Sequence, residues 1–314
     1  MSVIFTADDF GITPEQSRRV LECSSMAPGG KGLLSSVSVL ATSPRFEECA
    51  PLLDACSDEL RISVHLNFVE GPCAANPEDL PLLVDEKGFF KLGYGGLLAA
   101  SVGPRSAELE RELTLEAKAQ AARIVARFPR AARHLRLDGH QHTQLIPAVF
   151  RAMLATAADP AYSLEYLRIP VEPAGPARAA GVAASVKPVN WVKHALLGTL
   201  WSRDRRMLEA SGLGPYEDRS AVFSGVLFSG QMDKARVSAV LPGLAEEAQR
   251  RGMGLELLFH PGRVDAPERC LNPSLPGFVE FSCGEGRDIE HEALRSAELA
   301  AAFGALRDEH GAVA

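Results

Sequence analysis

Five short stretches of this 314-residue chain hold the side chains that could do chemistry. They are Asp8 and Asp9 in "TADDFG", His65 and Asn67 in "VHLNFVEG", Asp138, His140 and His142 in "LDGHQHTQLIP", Arg168 in "LRIPVEP", and His260 in "FHPG". The third is the densest. If Leu135 to Leu137 end a strand, alternation puts Asp138, His140 and His142 on one face. A carboxylate and two imidazoles on one face suit a metal or an acid–base site; they would also suit a polar turn capping the next helix. One aspartate and two histidines, with positions left open for water, make a catalytic metal site. A second aspartate can take a proton from that water, and a separate histidine can protonate a leaving group. This combination describes metal-assisted hydrolysis of an amide or ester.

Each residue alone has a plainer reading. Asp8 and Asp9 could cap a helix, His65 could be a bonded core histidine, Arg168 could serve an ion pair, and His260 could belong to a turn before Pro261. The plainer readings must all coincide at strand ends, which is what the surrounding elements make improbable. "SVIFTA", "LLSSVSVLAT", "LRISVHLNFVEG", "HLRLD", "EYLRIP", "SGVLF", "GLELLFHPG" and "FVEFS" read as strands, mostly separated by helical segments. Thr13, Pro14 and Gln16 give a helix start after the first strand. Leu109, Leu113, Ala117, Gln120, Ile124 and Phe128 follow helical spacing in a segment that Ser106 can cap. About eight strands alternating with helices indicate an α/β fold, a closed parallel barrel in preference to an open sheet. The C-terminal strand ends of such a barrel share one rim, where Asp8, Asp9, His65, Asn67, Asp138, His140, His142, Arg168 and His260 would meet. No G-x-G-x-x-G follows the first strand, against a dinucleotide fold. The chain reads as a single domain over 1–314, with irregular insertions near 72–105 and 171–220.

Composition narrows the partners. Net charge is −7 with no basic block, so nucleic acid is not expected. Mean hydropathy is near zero, and no apolar run approaches the roughly 18 residues of a membrane span. The start "MSVIFTADDFG" lacks the basic, long-apolar pattern of a signal peptide. The six cysteines form no C-x-x-C and read as reduced, buried thiols, which fits the cytoplasm.

Taken in order, "TADDFG", "VHLNFVEG", "LDGHQHTQLIP", "LRIPVEP", "FSGVLFSGQM" and "FHPG" resemble the YdjC-like carbohydrate deacetylase family, which includes the chitooligosaccharide deacetylases, and they span nearly the whole chain. The resemblance implies a distorted, TIM-like (β/α) barrel related to the polysaccharide deacetylases. It implies a divalent metal, Mg²⁺ or Zn²⁺, and removal of an acetyl group from an N-acetylated amino sugar. Carried over by motif, Asp9, His65 and His140 bind the metal, Asp8 is the base and His260 the acid. Asp138 and His142 fall on family positions lining the site, and Asn67, Gln144 and Arg168 are expected with them to bind substrate. The family often reads H-Q-H-x-H where this chain has Gln144 in place of the last histidine, and glutamine cannot carry a proton at neutral pH. "AVFSGVLFSGQM" with "RIPVEP" also resembles a branch associated with hopanoid biosynthesis, which implies a lipid-linked amino sugar. A homodimer is allowed. Other readings stay open: hydrolysis of another amide or ester, a sugar-binding or regulatory protein without turnover, or a metal-dependent isomerase or lyase.

Overall fold

The computed structural model describes residues 1–310. Seven strands, β1 (Val3–Phe10), β2 (Ser36–Val39), β3 (Arg61–Leu66), β4 (Leu135–Gly139), β5 (Leu164–Leu167), β6 (Ala221–Ser224) and β7 (Gly254–Phe259), form one parallel sheet. Their order is β5-β4-β3-β2-β1-β7-β6. The sheet is strongly curled. Tyr166 on β5 donates its hydroxyl hydrogen to Glu256 on β7, although β4, β3, β2 and β1 lie between them in the sheet. The result is a half-barrel with β5 and β6 as its edges.

Two sequence expectations are corrected here. "FVEFS" is no eighth strand; it lies in the helix Pro276–Cys283. Pro276 occupies the first turn, where its missing N–H costs nothing. Phe278, Phe281 and Ser282 then face one cavity at helical spacing. With that strand absent, β5 and β6 are not hydrogen-bonded to each other among the described residues, and the eight-strand closure is not seen. The stretch 171–220 contains the 23-residue helix Pro188–Ala210. The stretch 72–105 contains the helix Gly93–Ala100.

The helices form as their sequences dictate. Thr13 accepts the N–H of Gln16 at 3.1 Å to cap Pro14–Leu21. Asp233 accepts the N–H of Arg236 at 2.8 Å to cap Lys234–Arg251, which ends at Gly252 with φ +67°. Ser106 does not cap Ser106–Arg127; the cap position is Arg105, without a side-chain bond. The expected face of that helix, Leu109, Leu113, Ala117, Gln120 and Ile124, is buried. Each fully buried aliphatic side chain contributes roughly 1.5–3 kcal/mol. One apolar cluster runs from Val3 to Leu306 through both layers.

The strands alternate in an informative way. Outward positions such as Val37, Val39, Ile62, Val64, Leu135 and Leu137 pack under the helices. Inward positions carry Thr6, Ser36, Ser38, Ser63, His65 and Asp138, all buried. The concave face is therefore polar, and its upper end is the site. No described helix is long and apolar enough to cross a membrane.

Candidate active site

β1 ends on two carboxylates that both reach the cavity. The pairing of β1 with β2 shifts register between Ala7 and Phe10, and Asp9 takes φ +63°. A non-glycine residue there costs about 1–3 kcal/mol and marks a functional constraint. Without that kink, Asp8 and Asp9 would point to opposite faces. A left-handed pair, Gln141 (φ 55°) and His142 (φ 59°), bends the chain in the turn after β4.

Asp9, His65 and His140 converge. His65 Nε2 lies 3.5 Å from Asp9 Oδ1, His140 Nδ1 lies 2.9 Å from the same oxygen, and the two nitrogens are 3.3 Å apart. Ligands about 2.0–2.2 Å from one ion, at angles between octahedral and tetrahedral, are separated by about 2.8–3.6 Å. With neutral rings that donate from their far nitrogens to Asp138 and Glu70, Asp9 Oδ1 is buried and has no hydrogen-bond partner. The triangle thus has the size and the unsatisfied donor atom that a divalent cation requires.

Both imidazoles are held from behind. His65 Nδ1 donates to Asp138 Oδ1 at 2.5 Å, and Asp138 Oδ2 accepts the Ser38 hydroxyl at 2.6 Å. His140 Nε2 donates to Glu70 Oε1 at 2.9 Å. A carboxylate behind each ring fixes which nitrogen faces the ion and raises its basicity. A second candidate triad, Asp8, His65 and Asp138, is also close enough for a metal. Its carboxylate oxygens are already taken. Arg168 Nη1 donates to both oxygens of Asp8, at 2.9 and 2.8 Å, and Asp138 bonds His65 and Ser38. The Asp9 triad is the better cation site.

The charges agree. Asp8, Asp9, Glu70, Asp138 and Glu256 are buried beside the guanidinium groups of Arg168 and Arg287. Burial pushes the His65 pKa down, but Asp8 and Asp138 outweigh it and raise it to about 9. Burial likewise opposes, and Glu70 and Asp9 drive, a rise of His140 to about 10. Asp9 is held well below the usual carboxylate range despite burial, by Arg287 and His140. Asp138 is lowered too, with Arg168 and His65 outweighing its burial.

A cavity of about 560 Å³ opens over this cluster, with Asp8, Asp9, His65, His140, His142 and His260 in its wall. His260 leaves β7 with its ring edge-on to Phe281, centroids 5.0 Å apart. Its backbone N–H donates to Glu290, whose Oε2 lies 3.5 Å from Nδ1. Burial first, then the nearby Arg168 and His260, keeps His142 well below the usual histidine pKa and hence neutral.

Four residues expected at the substrate are not among those lining the cavity. Arg168 is fully buried beneath the cavity, its donors spent on Asp8, Glu256 and Ser38. Asn67 is buried in a turn, accepting the N–H groups of Val69 and Glu70, both at 3.1 Å. Asp138 sits behind His65. Gln144 is fully buried and packs on Gly139. Of the expected substrate positions, His142 is the one that lines the cavity. Glu70, Glu256, Arg287 and Glu290 belong to the cluster and were not singled out in the sequence.

The profile of the YdjC-like protein family matches residues 2–305. A carbohydrate deacetylase of Mus musculus is 28% identical over 91% of this chain and 82% of its own length. A carbohydrate deacetylase of Homo sapiens is 28% identical over 92% and 80%. One from Thermoanaerobacter pseudethanolicus is 29% identical over 49% and 56%. A crystal structure of an Enterococcus faecalis V583 protein, named for cellobiose-phosphate cleavage, superposes with TM-score 0.65 at 20% identity, over 99% of this chain and 95% of that one. That likeness is one of fold.

Proposed function

The chain belongs to the YdjC-like family, and from that premise we propose that it is a metal-dependent carbohydrate N-deacetylase, a hydrolase that removes the acetyl group from an N-acetylated amino sugar. The observation that carries this reading is the Asp9–His65–His140 triangle lying in one cavity wall with Asp8 and His260. Carbohydrate deacetylases among the relatives support it. The whole chain, 1–314, serves as one deacetylase-like domain in this reading.

Asp9, His65 and His140 would hold the ion. Of the two metals expected, the paired imidazole nitrogens favour Zn²⁺, since Mg²⁺ prefers oxygen ligands. When bound, the ion supplies Lewis acidity, which lowers the pKa of water and polarises a carbonyl. Asp8 takes a proton from the attacking water. Arg168 grips both oxygens of Asp8 and fixes its direction. His260 protonates the departing sugar nitrogen, and Glu290 holds the His260 backbone in place. Acetate and a free amine are the products.

The sugar is carried on an oligosaccharide or a lipid. The cavity wall favours an apolar carrier, because Ile12, Leu196, Leu271, Leu275, Phe278 and Phe281 line it together with the polar cluster. The test is acetate release from a panel of N-acetylated mono-, oligo- and lipid-linked sugars, with several divalent metals and with a chelator. Metal-dependent release supports the reading. Sugar binding without release would replace it with a binding role, and release only from esters or other amides would move the reaction to a different bond.

A further inference from the structure

Arg287 is the second residue of the helix Gly286–Arg295, and it is 2% exposed. Three contacts fix its guanidinium. Nη2 donates to Asp9 Oδ2 at 2.5 Å, and Nε donates to the Phe281 carbonyl at 3.2 Å. The group also lies over the Phe281 ring, 5.1 Å from its centroid. The remaining nitrogen, Nη1, is buried and has no partner in the protein. Arg287 lines the same cavity as Asp8, Asp9, His65 and His260.

A charged donor buried without a partner is costly, more so than a neutral one. Here the guanidinium is a rigid fork. One tooth is closed on Asp9 and the edge on Phe281, so the open tooth is held beside Asp9 without freedom to turn away. We propose that Arg287 is a catalytic residue: its Nη1 donates a hydrogen bond to the acyl oxygen of the substrate and carries the negative charge which that oxygen gains during the reaction. The inference rests on the deacetylase reading above. Water adds to the carbonyl carbon, the carbonyl π pair moves onto the oxygen, and Asp8 holds the proton lost by the water. Collapse re-forms the C=O bond and breaks C–N, the nitrogen takes its proton from His260, and acetic acid leaves and gives its proton to water as acetate. The oxygen is most negative between these steps. A desolvated guanidinium is worth most against a full charge, which selects the acyl oxygen over a neutral sugar hydroxyl.

The probe is [1-¹³C]acetate, which presents the same acyl oxygens. It is titrated into metal-loaded and metal-stripped protein and followed by NMR line broadening, for wild type, Arg287→Gln and Arg287→Lys. Arg287→Gln should weaken acetate binding about tenfold or more in both forms, as loss of a charge-assisted bond does. Arg287→Lys keeps the cation, should keep part of the affinity, and guards against a fold defect. With metal in excess, Arg287→Gln should lose about 10²- to 10³-fold in kcat with KM held. Equal acetate affinity in all three proteins overturns the proposal. So does restoration of kcat by excess metal, which would leave Arg287 only a support of Asp9. If acetate binding depends on Arg287 but wild type releases acetate from no sugar, the deacetylase reading fails and the anion-binding role of Arg287 stands.

Discussion

Asp138 holds His65 by its Nδ1, 2.5 Å away, and so turns the opposite nitrogen toward Asp9. The β3–β4 register sets this contact, since His65 and Asp138 are paired neighbours on adjacent strands. Asp138→Asn should lower metal affinity about 10- to 100-fold while the fold is retained. Competition against a chelator measures it. Unchanged affinity would remove Asp138 from the site.

Glu70 does the same for His140 from a loop. It also accepts Gln141 Nε2 at 2.6 Å, so it fixes the turn as well as the ring. Glu70→Gln should weaken metal binding by a similar about 10- to 100-fold, and excess metal should restore the rate. A variant that holds its metal fully yet stays inactive would place Glu70 in the chemistry instead.

Asp8 and Asp9 should separate cleanly. Asp8→Asn should keep the metal and lose about 10²- to 10⁴-fold in kcat, as loss of a general base does. Asp9→Asn should lose the metal, because an amide is a poorer ligand than a carboxylate. Metal titration reads the difference: excess metal should partly rescue Asp9→Asn and leave Asp8→Asn inactive. The reverse pattern would exchange their roles.

Metal binding should release protons. In the metal-free protein His65 and His140 stay protonated up to about 9 and about 10, and an ion needs both neutral. Apparent affinity should therefore rise with pH up to that range. Calorimetry in buffers of different ionisation enthalpy should count about two protons released per ion at pH 7. The sign for stability follows. Folded-state pKa values above the unfolded value favour the metal-free fold fully below about 6.5, and that contribution fades as pH rises through 9 to 10. Zero proton release would contradict the assignment of these two ligands.

Asp204 offers a test away from the chemistry. Both its oxygens are buried without partners, and burial raises its pKa to about 7 against the weaker pull of Arg203 and Arg151. The folded state holds this proton and the unfolded state does not, so stability falls as pH rises from about 4 to about 7. Asp204→Asn should raise stability by about 1–3 kcal/mol above pH 7 and change little at pH 4. Equal melting temperatures at pH 8 would show that Asp204 is solvated.

Much of the sheet was legible in the sequence because its strands alternate. "SVSV", "RISVHL" and "LRLD" place a polar residue at every second position, whereas a parallel strand covered on both faces is apolar throughout. That alternation is the signature of a polar concave face. "FVEFS" misled because its aromatic and β-branched residues suit a strand, while Pro276 before it and packing over the cavity make it a helix. Glu256 was readable as a charge inside an apolar strand. Glu70 was readable from the turn that Asn67 makes with the N–H groups of Val69 and Glu70. Arg287 and Glu290 were not readable. They sit in an ordinary amphipathic helix, and only tertiary packing brings them to Asp9 and His260. Arg168 and Gln144 were visible as site residues but not as buried supports, because spacing gives the face and not the depth.

The most direct measurement is the rate of acetate release from an N-acetylated amino sugar as divalent metal is titrated into stripped protein. The account predicts no release without metal, a linear rise, and a break at one equivalent that His65→Ala and His140→Ala abolish. Undiminished release from the metal-stripped wild type, or a break unchanged in both variants, would contradict it.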